Sequence, residues 1–331
     1  MRFPRLRAGE PALILAPMEG VTDAPMRALL TERGGFTFCV AEFLRVGPDK
    51  IPDWCFFQHI PELASGARTE AGTPVAVQIL GGDEGRMAES AAQAVELGAP
   101  AIDINFGCPS KTVNRHDGGA TLLKYPERIR SITRAVRAAV PPEVTVSVKM
   151  RLGWEDRADI RRNSEEAAEG GADWLTIHAR TKKQGYAPPV DWTYIGEVRA
   201  KLSIPVVANG DIWTIEDFEK CREITGCEHF MIGRGALADP KLPLEIARRL
   251  GISTANATAT TTALSRAEWE ALLRRFVDLN LPVTRKGPEV IVGRMKQWLK
   301  FAHVRRPIPW FDDVKRAETI ESVFETLSRV N

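Results

Sequence analysis

Short apolar or β-branched runs alternate with longer stretches of helical periodicity along the chain. Eight such runs stand out: Ala12–Ala16, Thr37–Glu42, Val75–Leu80, Ala101–Asn105, Val144–Met150, Trp174–His178, Pro205–Ala208 and His229–Gly233. They are continuous rather than alternating, the mark of buried parallel strands. Between them, Met87–Leu97 carries apolar residues at Met87, Ala91, Ala94, Val95 and Leu97, and Ile129–Val140 carries Ile129, Ile132, Val136 and Val140. A helix over Glu165–Gly170 stops at a Gly-Gly pair. Eight β/α units in about 250 residues predict an α/β fold of the (β/α)8 TIM-barrel type. A doubly wound open sheet is the alternative, but no G-x-G-x-x-G follows the first strand.

Past Leu250 the texture changes. Gly251–Ala263 reads GISTANATATTTA, without periodicity. Residues 251–264 are therefore expected to be a linker between a barrel over 1–250 and a small all-helical C-terminal domain over 265–331. Ser265 is a candidate helix cap, with Glu268 three residues on, and Trp269, Leu272, Leu273, Phe276 and Leu279 share one face. Further helices are predicted over Glu289–His303 and Phe311–Leu327.

Composition is that of a globular protein, 44% hydrophobic and 27% charged. No apolar run reaches the ~18 residues of a membrane span, and MRFPRLRAGE lacks a signal-peptide core. The five cysteines (Cys39, Cys55, Cys108, Cys221 and Cys227) include no Cys-x-x-Cys pair. Reduced thiols in a cytoplasm are the simplest expectation. The whole-chain charge of +2 argues against a nucleic-acid partner, but its distribution does not. Residues 265–331 hold 13 Lys/Arg against 9 Asp/Glu, a local balance of +4. Arg285–Arg306 contains seven basic residues (Arg285, Lys286, Arg294, Lys296, Lys300, Arg305, Arg306) and one acid, Glu289. The stretch is either a solvated helical face or a phosphate-binding patch.

In a (β/α)8 barrel the site lies at the C-terminal strand ends. Those ends supply Pro17-Met18, Glu42, Gln78, Asn105 with Gly107-Cys108-Pro109, Lys149 with Arg151, His178 with Arg180, Asn209-Gly210-Asp211 and Gly233-Arg234-Gly235. Polar groups at nearly every end predict a large polar ligand across the mouth. The last two loops are the usual barrel phosphate site, with Gly210 and Gly233 allowing close backbone approach, unless those glycines only make tight turns. Lys149 admits three readings: a structural ion pair with Glu42 or Asp103, a Schiff-base lysine, or a cation beside a flavin ring. His178 is a core histidine or a ligand contact. No second histidine sits near it at a strand end, so no metal is expected. Cys108 is set apart by Gly107 and Pro109, which would project a thiol of ordinary pKa ~8.5 into the mouth as a proton donor.

Read together, Ala16-Pro17-Met18-Glu19-Gly20-Val21-Thr22-Asp23, Asn105-Phe106-Gly107-Cys108-Pro109, Lys149-Met150-Arg151, His178-Ala179-Arg180-Thr181, Asn209-Gly210-Asp211-Ile212 and Gly233-Arg234-Gly235 resemble the tRNA-dihydrouridine synthases. The resemblance covers residues ~12–250 in order and extends into the tail. Arg151-Leu152-Gly153-Trp154, Gln184-Gly185-Tyr186, Ile212-Trp213 and Arg294-Met295-Lys296-Gln297-Trp298-Leu299 are similar to the branch that modifies uridine 16.

The resemblance implies FMN on the barrel mouth and NADPH as reductant. Pro17 and Met18 would pack the isoalloxazine, and Gln78, Lys149 and His178 would meet its polar edge or phosphate side. Asn209, Gly210, Asp211, Gly233 and Arg234 would hold the ribityl phosphate. Cys108 would be the general acid and Asn105 a contact to the base. Arg45, Tyr186, Arg294 and Lys296 would touch tRNA. The implied reaction saturates the C5=C6 bond of a flipped D-loop uridine, hydride going to C6 and the Cys108 proton to C5. The expected partner is tRNA, with no membrane and no metal, and the expected state is a monomer. The loop Asn114-Arg115-His116-Asp117-Gly118-Gly119 departs from the glycine-rich stretch of the family. Three other classes compete: an FMN oxidoreductase of a free pyrimidine, of the dihydroorotate dehydrogenase kind; an aldolase-like barrel using Lys149; and a tRNA-binding module with a dead site.

Overall fold

A computed structural model describes residues 3–253, 263–284 and 287–329. The chain runs β1 (Ala12–Leu15), α1 (Ala24–Glu32), β2 (Phe38–Val40), β3 (Leu44–Arg45), α2 (Asp53–His59), β4 (Val75–Leu80), α3 (Glu84–Glu96), β5 (Ala101–Phe106), α4 (Lys111–Arg115), α5 (Pro126–Ala139), β6 (Thr145–Arg151), α6 (Ile160–Glu169), β7 (Trp174–His178), α7 (Thr193–Arg199), β8 (Val206–Asn209), α8 (Ile215–Thr225), β9 (His229–Ile232), α9 (Arg234–Ala238) and α10 (Leu242–Arg249). Every strand pairing is parallel, and the sheet closes because β1 pairs with both β9 and β2, and β2 with β4. This is the predicted (β/α)8 barrel.

Its second strand is split into β2 and β3. Val40 pairs with Ala76 and Leu44 with Ile79, so four residue steps oppose three in β4. The extra residue is a local bulge, a device that re-aims side chains at barrel rims. Here it brings Glu42 and Phe43 to the mouth.

Strand side chains alternate between two environments. The outward set, including Val77, Ile79, Ile102, Ile104, Val146, Val148, Leu175 and Ile177, packs under the helices. The inward set changes character along the barrel axis. Ala12, Ile14, Phe38, Val40, Ala76, Ala101, Trp174, Val207 and Met231 fill the lower half, sealed by Phe3 and Leu6. Above them Gln78, Asp103, Asn105, Ser147, Lys149 and His178 occupy inward positions of β4 to β7. The continuous apolar runs therefore conceal a period of two.

The tail forms α11 (Arg266–Asn280), α12 (Pro288–Arg305), α13 (Phe311–Val314) and α14 (Ile320–Arg329). α11 opens with the expected capping box between Ser265 and Glu268. The predicted Phe311–Leu327 helix is two helices. Between them Thr319 and Ser322 exchange side-chain to backbone bonds that start a new helix. Tail and barrel share one apolar cluster that includes Trp269, Phe276 and Trp298. Trp298 Nε1 donates to the Leu237 carbonyl at 2.9 Å, and Lys241 meets Glu268 at 2.8 Å. Arg285 and Lys286 of the basic stretch, and most of the expected linker, lie outside the described residues. No described helix is long and apolar enough to cross a membrane.

Candidate active site

The strand ends enclose a cavity of about 430 Å³ at the barrel mouth, within the usual size range of a small-molecule site. Pro17, Met18, Gln78, Asn105, Cys108, Lys149, His178, Tyr186, Asn209, Gly210, Asp211, Gly233 and Arg234 all line it. Thirteen expected residues, twelve from seven strand ends and Tyr186 from the loop after β7, thus share one wall. Arg45 lies at the exposed end of β3, in an adjoining recess that shares Cys108, Pro109 and Tyr186 with the mouth. Arg294 and Lys296 lie on α12, outside that wall. The Arg294 guanidinium is held by Asp23, at 2.7 Å to its Oδ1, and by Asn280 at 2.8 Å.

The Cys108 turn is fixed by its own neighbours. Asn105 Oδ1 accepts the backbone N–H of Gly107 at 2.9 Å and of Cys108 at 3.0 Å. Asn114 Nδ2 donates to the Cys108 carbonyl at 3.0 Å, and Arg151 Nε donates to the Gly107 carbonyl at 2.9 Å. The atypical loop that follows is tied down as well, with Arg128 on Asp117 at 2.7 Å. Gly119, in the left-handed region at φ +58°, has no room for a Cβ, which would lie 2.9 Å from Val113 Cγ1. Burial pushes the Cys108 thiol above its ordinary pKa, so it stays protonated near neutrality.

The neighbouring charges are set by the same desolvation. Burial, then Arg151, lowers the Lys149 ammonium, while Asp103 favours its charge. His178 is pushed well below its usual range by burial first, then by Arg151, Lys149, Arg180 and Arg234, and is neutral. Its buried Nδ1 has no hydrogen-bond partner among the described residues. Burial raises the Asp103 carboxyl and takes Glu42 up to about 7. Asp211 goes the other way. Burial opposes its charge, but Arg180 at 2.5 Å and Arg234 at 2.8 Å hold it below the ordinary carboxylate range.

On the rim, cations and rings stack in sequence. Arg151 lies 5.3 Å from the Tyr186 ring centre, Arg234 lies 5.0 Å from Tyr186 and 4.9 Å from Trp213, and Arg305 lies 5.8 Å from Trp213. The ladder joins the mouth to α12, whose Phe301 also lines the cavity. Phe301 gave no strand-end signal, because it arrives from the tail. Among the described residues no group of three or more His, Cys, Asp or Glu is placed to hold a metal.

The dihydrouridine synthase (Dus) family matches residues 14–274, a span that contains every strand end at the barrel mouth. The chain belongs to the dihydrouridine synthase family. Among curated relatives it is 42% identical to a "tRNA-dihydrouridine(16) synthase" of Aquipseudomonas alcaligenes over 96% of this chain and 98% of that one. It is 45% identical to a protein of the same name from Pseudomonas syringae pv. tomato, covering 87% of this chain and 88% of that one. Among solved structures, histamine dehydrogenase from Rhizobium sp. 4-9 superposes with a TM-score of 0.55 at 16% identity, over 75% of this chain and 48% of that one. An old yellow enzyme homologue from Zymomonas mobilis gives 0.51 at 13%, over 79% and 99%. These two likenesses bear on the barrel fold. A dihydrouridine synthase with this mouth is an enzyme whose proton-holding thiol and cationic lysine face one cavity.

Proposed function

We propose that this dihydrouridine synthase reduces the C5=C6 bond of a D-loop uridine in tRNA, at position 16, with FMN as cofactor and NADPH as reductant. The observation that carries the reading is the meeting of Cys108, Lys149 and His178 in one cavity, in a chain matched over nearly its whole length by tRNA-dihydrouridine(16) synthases.

The mouth suits a flavin mononucleotide. Its unpartnered, buried His178 Nδ1 and its Lys149 are groups that a ring edge or phosphate would satisfy. Pro17 and Met18 offer the apolar floor, and Gln78, Lys149 and His178 the polar edge. Asn209, Gly210, Asp211, Gly233 and Arg234 are the proposed phosphate cradle. A Cβ at Gly233 would stand 2.9 Å from Met18 Sδ, so a side chain there would push Met18 out of the apolar floor. The reduced flavin supplies a hydride to C6 when bound.

The chain's own part is to bind, orient and protonate. Cys108 holds a proton near neutrality because burial disfavours its thiolate, and delivers it to C5. Asn105, already fixing the Cys108 turn, contacts the base. Lys149 keeps positive charge at the ring edge, where reduced flavin gathers negative charge. The uridine must leave its stack to reach this depth. Arg45 and Tyr186 stand at the rim to meet the RNA, with Lys296 on α12. Arg294 acts there through the ion pair that holds α12 against the barrel. The helical tail is the proposed tRNA-binding part. The compartment is the cytoplasm.

The test is reconstitution. Purified protein with FMN, NADPH and an unmodified tRNA transcript should form dihydrouridine at position 16 and leave 17 and 20 unchanged. Dihydrouridine at 20 alone would overturn the position, and turnover of free uridine or orotate in place of tRNA would overturn the substrate.

A further inference from the structure

A chain of side-chain bonds runs from the Cys108 turn down into the barrel. The Cys108 and Gly107 amides donate to Asn105 Oδ1 at 3.0 and 2.9 Å. Asn105 Nδ2 donates to Gln78 Oε1 at 2.9 Å. Gln78 Nε2 donates to Asp103 Oδ2 at 2.6 Å, and Ser147 donates to Asp103 Oδ1 at 2.5 Å. All these side chains are buried. Every donor in the chain points toward Asp103.

The Gln78 and Asn105 side-chain amides, taken alone, leave the sense of that chain open. A primary amide presents an oxygen on one side and an NH2 on the other, and rotating it by half a turn exchanges them. If Gln78 turned, Asn105 would turn with it, and its NH2 would face the Gly107 and Cys108 amides. Donor would meet donor, in a buried place where an unmade bond is costly. An ionised carboxylate only accepts. Placed at the inner end, it matches the one orientation of Gln78 and Asn105 that the donor-only Gly107 and Cys108 amides allow.

We propose that Asp103 is a positioning residue. Its acceptor-only carboxylate terminates the run of donors that the Gly107 and Cys108 amides begin, and so holds the Gln78 and Asn105 amides, and with them the Cys108 turn, in the geometry that presents the thiol to the mouth. Asp103 does not line the cavity itself and acts through Gln78 and Asn105. The value of this role for turnover rests on Cys108 as proton donor, while its effect on the turn does not.

The test separates the two. The full-length protein is alkylated with iodoacetamide, and Cys108 and Cys55 are quantified as separate peptides. Cys55 is also half-buried but lies on α2, off the chain of bonds, and reports general loosening. D103L removes the terminal acceptor. D103N keeps an acceptor for Gln78, and its NH2 can face the Ser147 hydroxyl, so the orientation set at the Gly107 and Cys108 amides is retained. S147A takes away one donor and leaves the carboxylate acceptor-only.

The Cys108 to Cys55 alkylation ratio should rise at least threefold in D103L at pH 8 and stay within threefold in D103N and S147A. Turnover on tRNA should fall at least tenfold in D103L, with KM for tRNA within twofold. If D103L does not fold, D103A, which also lacks the acceptor, carries the test. A ratio in the acceptor-free variant less than threefold above wild type overturns the proposal, as does a ratio in D103N equal to it. So does a rise shared equally by Cys55, because it reports only a loosened fold. A raised ratio with unchanged turnover leaves the positioning intact and counts against the proton-donor role of Cys108.

Discussion

Arg294 on α12 grips Asp23 at the start of α1, with Nη2 donating to Asp23 Oδ1 at 2.7 Å and Nη1 reaching Asn280 of α11 at 2.8 Å. Asp23 also caps α1 by accepting from the Met26 amide. One guanidinium therefore joins the loop that carries Pro17 and Met18 to two tail helices. From the sequence Arg294 reads as an RNA contact; in the structure its guanidinium ties the tail to the barrel through Asp23 and Asn280.

R294A should cost about 2 kcal/mol, because it leaves a half-buried carboxylate without its charged donor. Chemical denaturation measures this. R294K should recover less than half, because one ammonium cannot span Asp23 and Asn280 together. A wild-type denaturation midpoint in R294A would show the tie to be without weight.

Surface charge on this helix and at its C-terminal cap should behave differently. Lys300 and Arg306 are exposed. K300E/R306E should leave the melting temperature within a degree or two, raise KM for tRNA several-fold at low salt, and flatten the dependence of affinity on salt. An unchanged salt slope would remove this face from the RNA interface.

Glu42 links stability to pH. Burial takes its carboxyl from 4.5 to about 7, outweighing the Val21 amide that favours its charge. A carboxyl raised in this way binds its proton more tightly in the folded state than in the unfolded chain. Folding is therefore penalised above about pH 7, and the penalty fades as pH falls toward 4.5. E42Q keeps an acceptor for Val21 and never ionises. Its melting temperature should exceed wild type most at pH 8, by an amount of order 3 kcal/mol of stability, and the gap should close by about pH 5. A gap independent of pH would contradict the assignment.

The phosphate cradle can be tested by one methyl group. G233A would place a Cβ 2.9 Å from Met18 Sδ at the floor of the mouth. FMN affinity, read by quenching of flavin fluorescence, should fall about tenfold, while the apo-protein melting temperature changes little. Undiminished affinity would move the cofactor away from Gly233.

Much of this was legible in the chain. The eight strands announced themselves as apolar runs, and reading the residue after each run found the mouth, because a parallel barrel gathers its strand ends at one rim. What those runs hid was the alternation within them. Asp103 sits among Ile102, Ile104 and Phe106 and reads as part of an apolar strand, yet it faces the polar upper barrel. Its bonds to Gln78 and Ser147 come from strands 25 and 44 residues away, so no local pattern could reveal them. The bulge that re-aims Glu42 depends on the register with β4, and the fate of Arg294 on a partner 271 residues distant. Such facts belong to packing and not to local periodicity.

The central claim is that Cys108 protonates a tRNA uridine in this mouth. The most direct measurement maps dihydrouridine in total tRNA from a strain lacking this gene, complemented with wild-type protein or with C108A. Wild type should restore dihydrouridine at position 16. C108A, expressed to the same level and retaining FMN, should leave that position as uridine. Restoration by C108A equal to wild type would contradict the account.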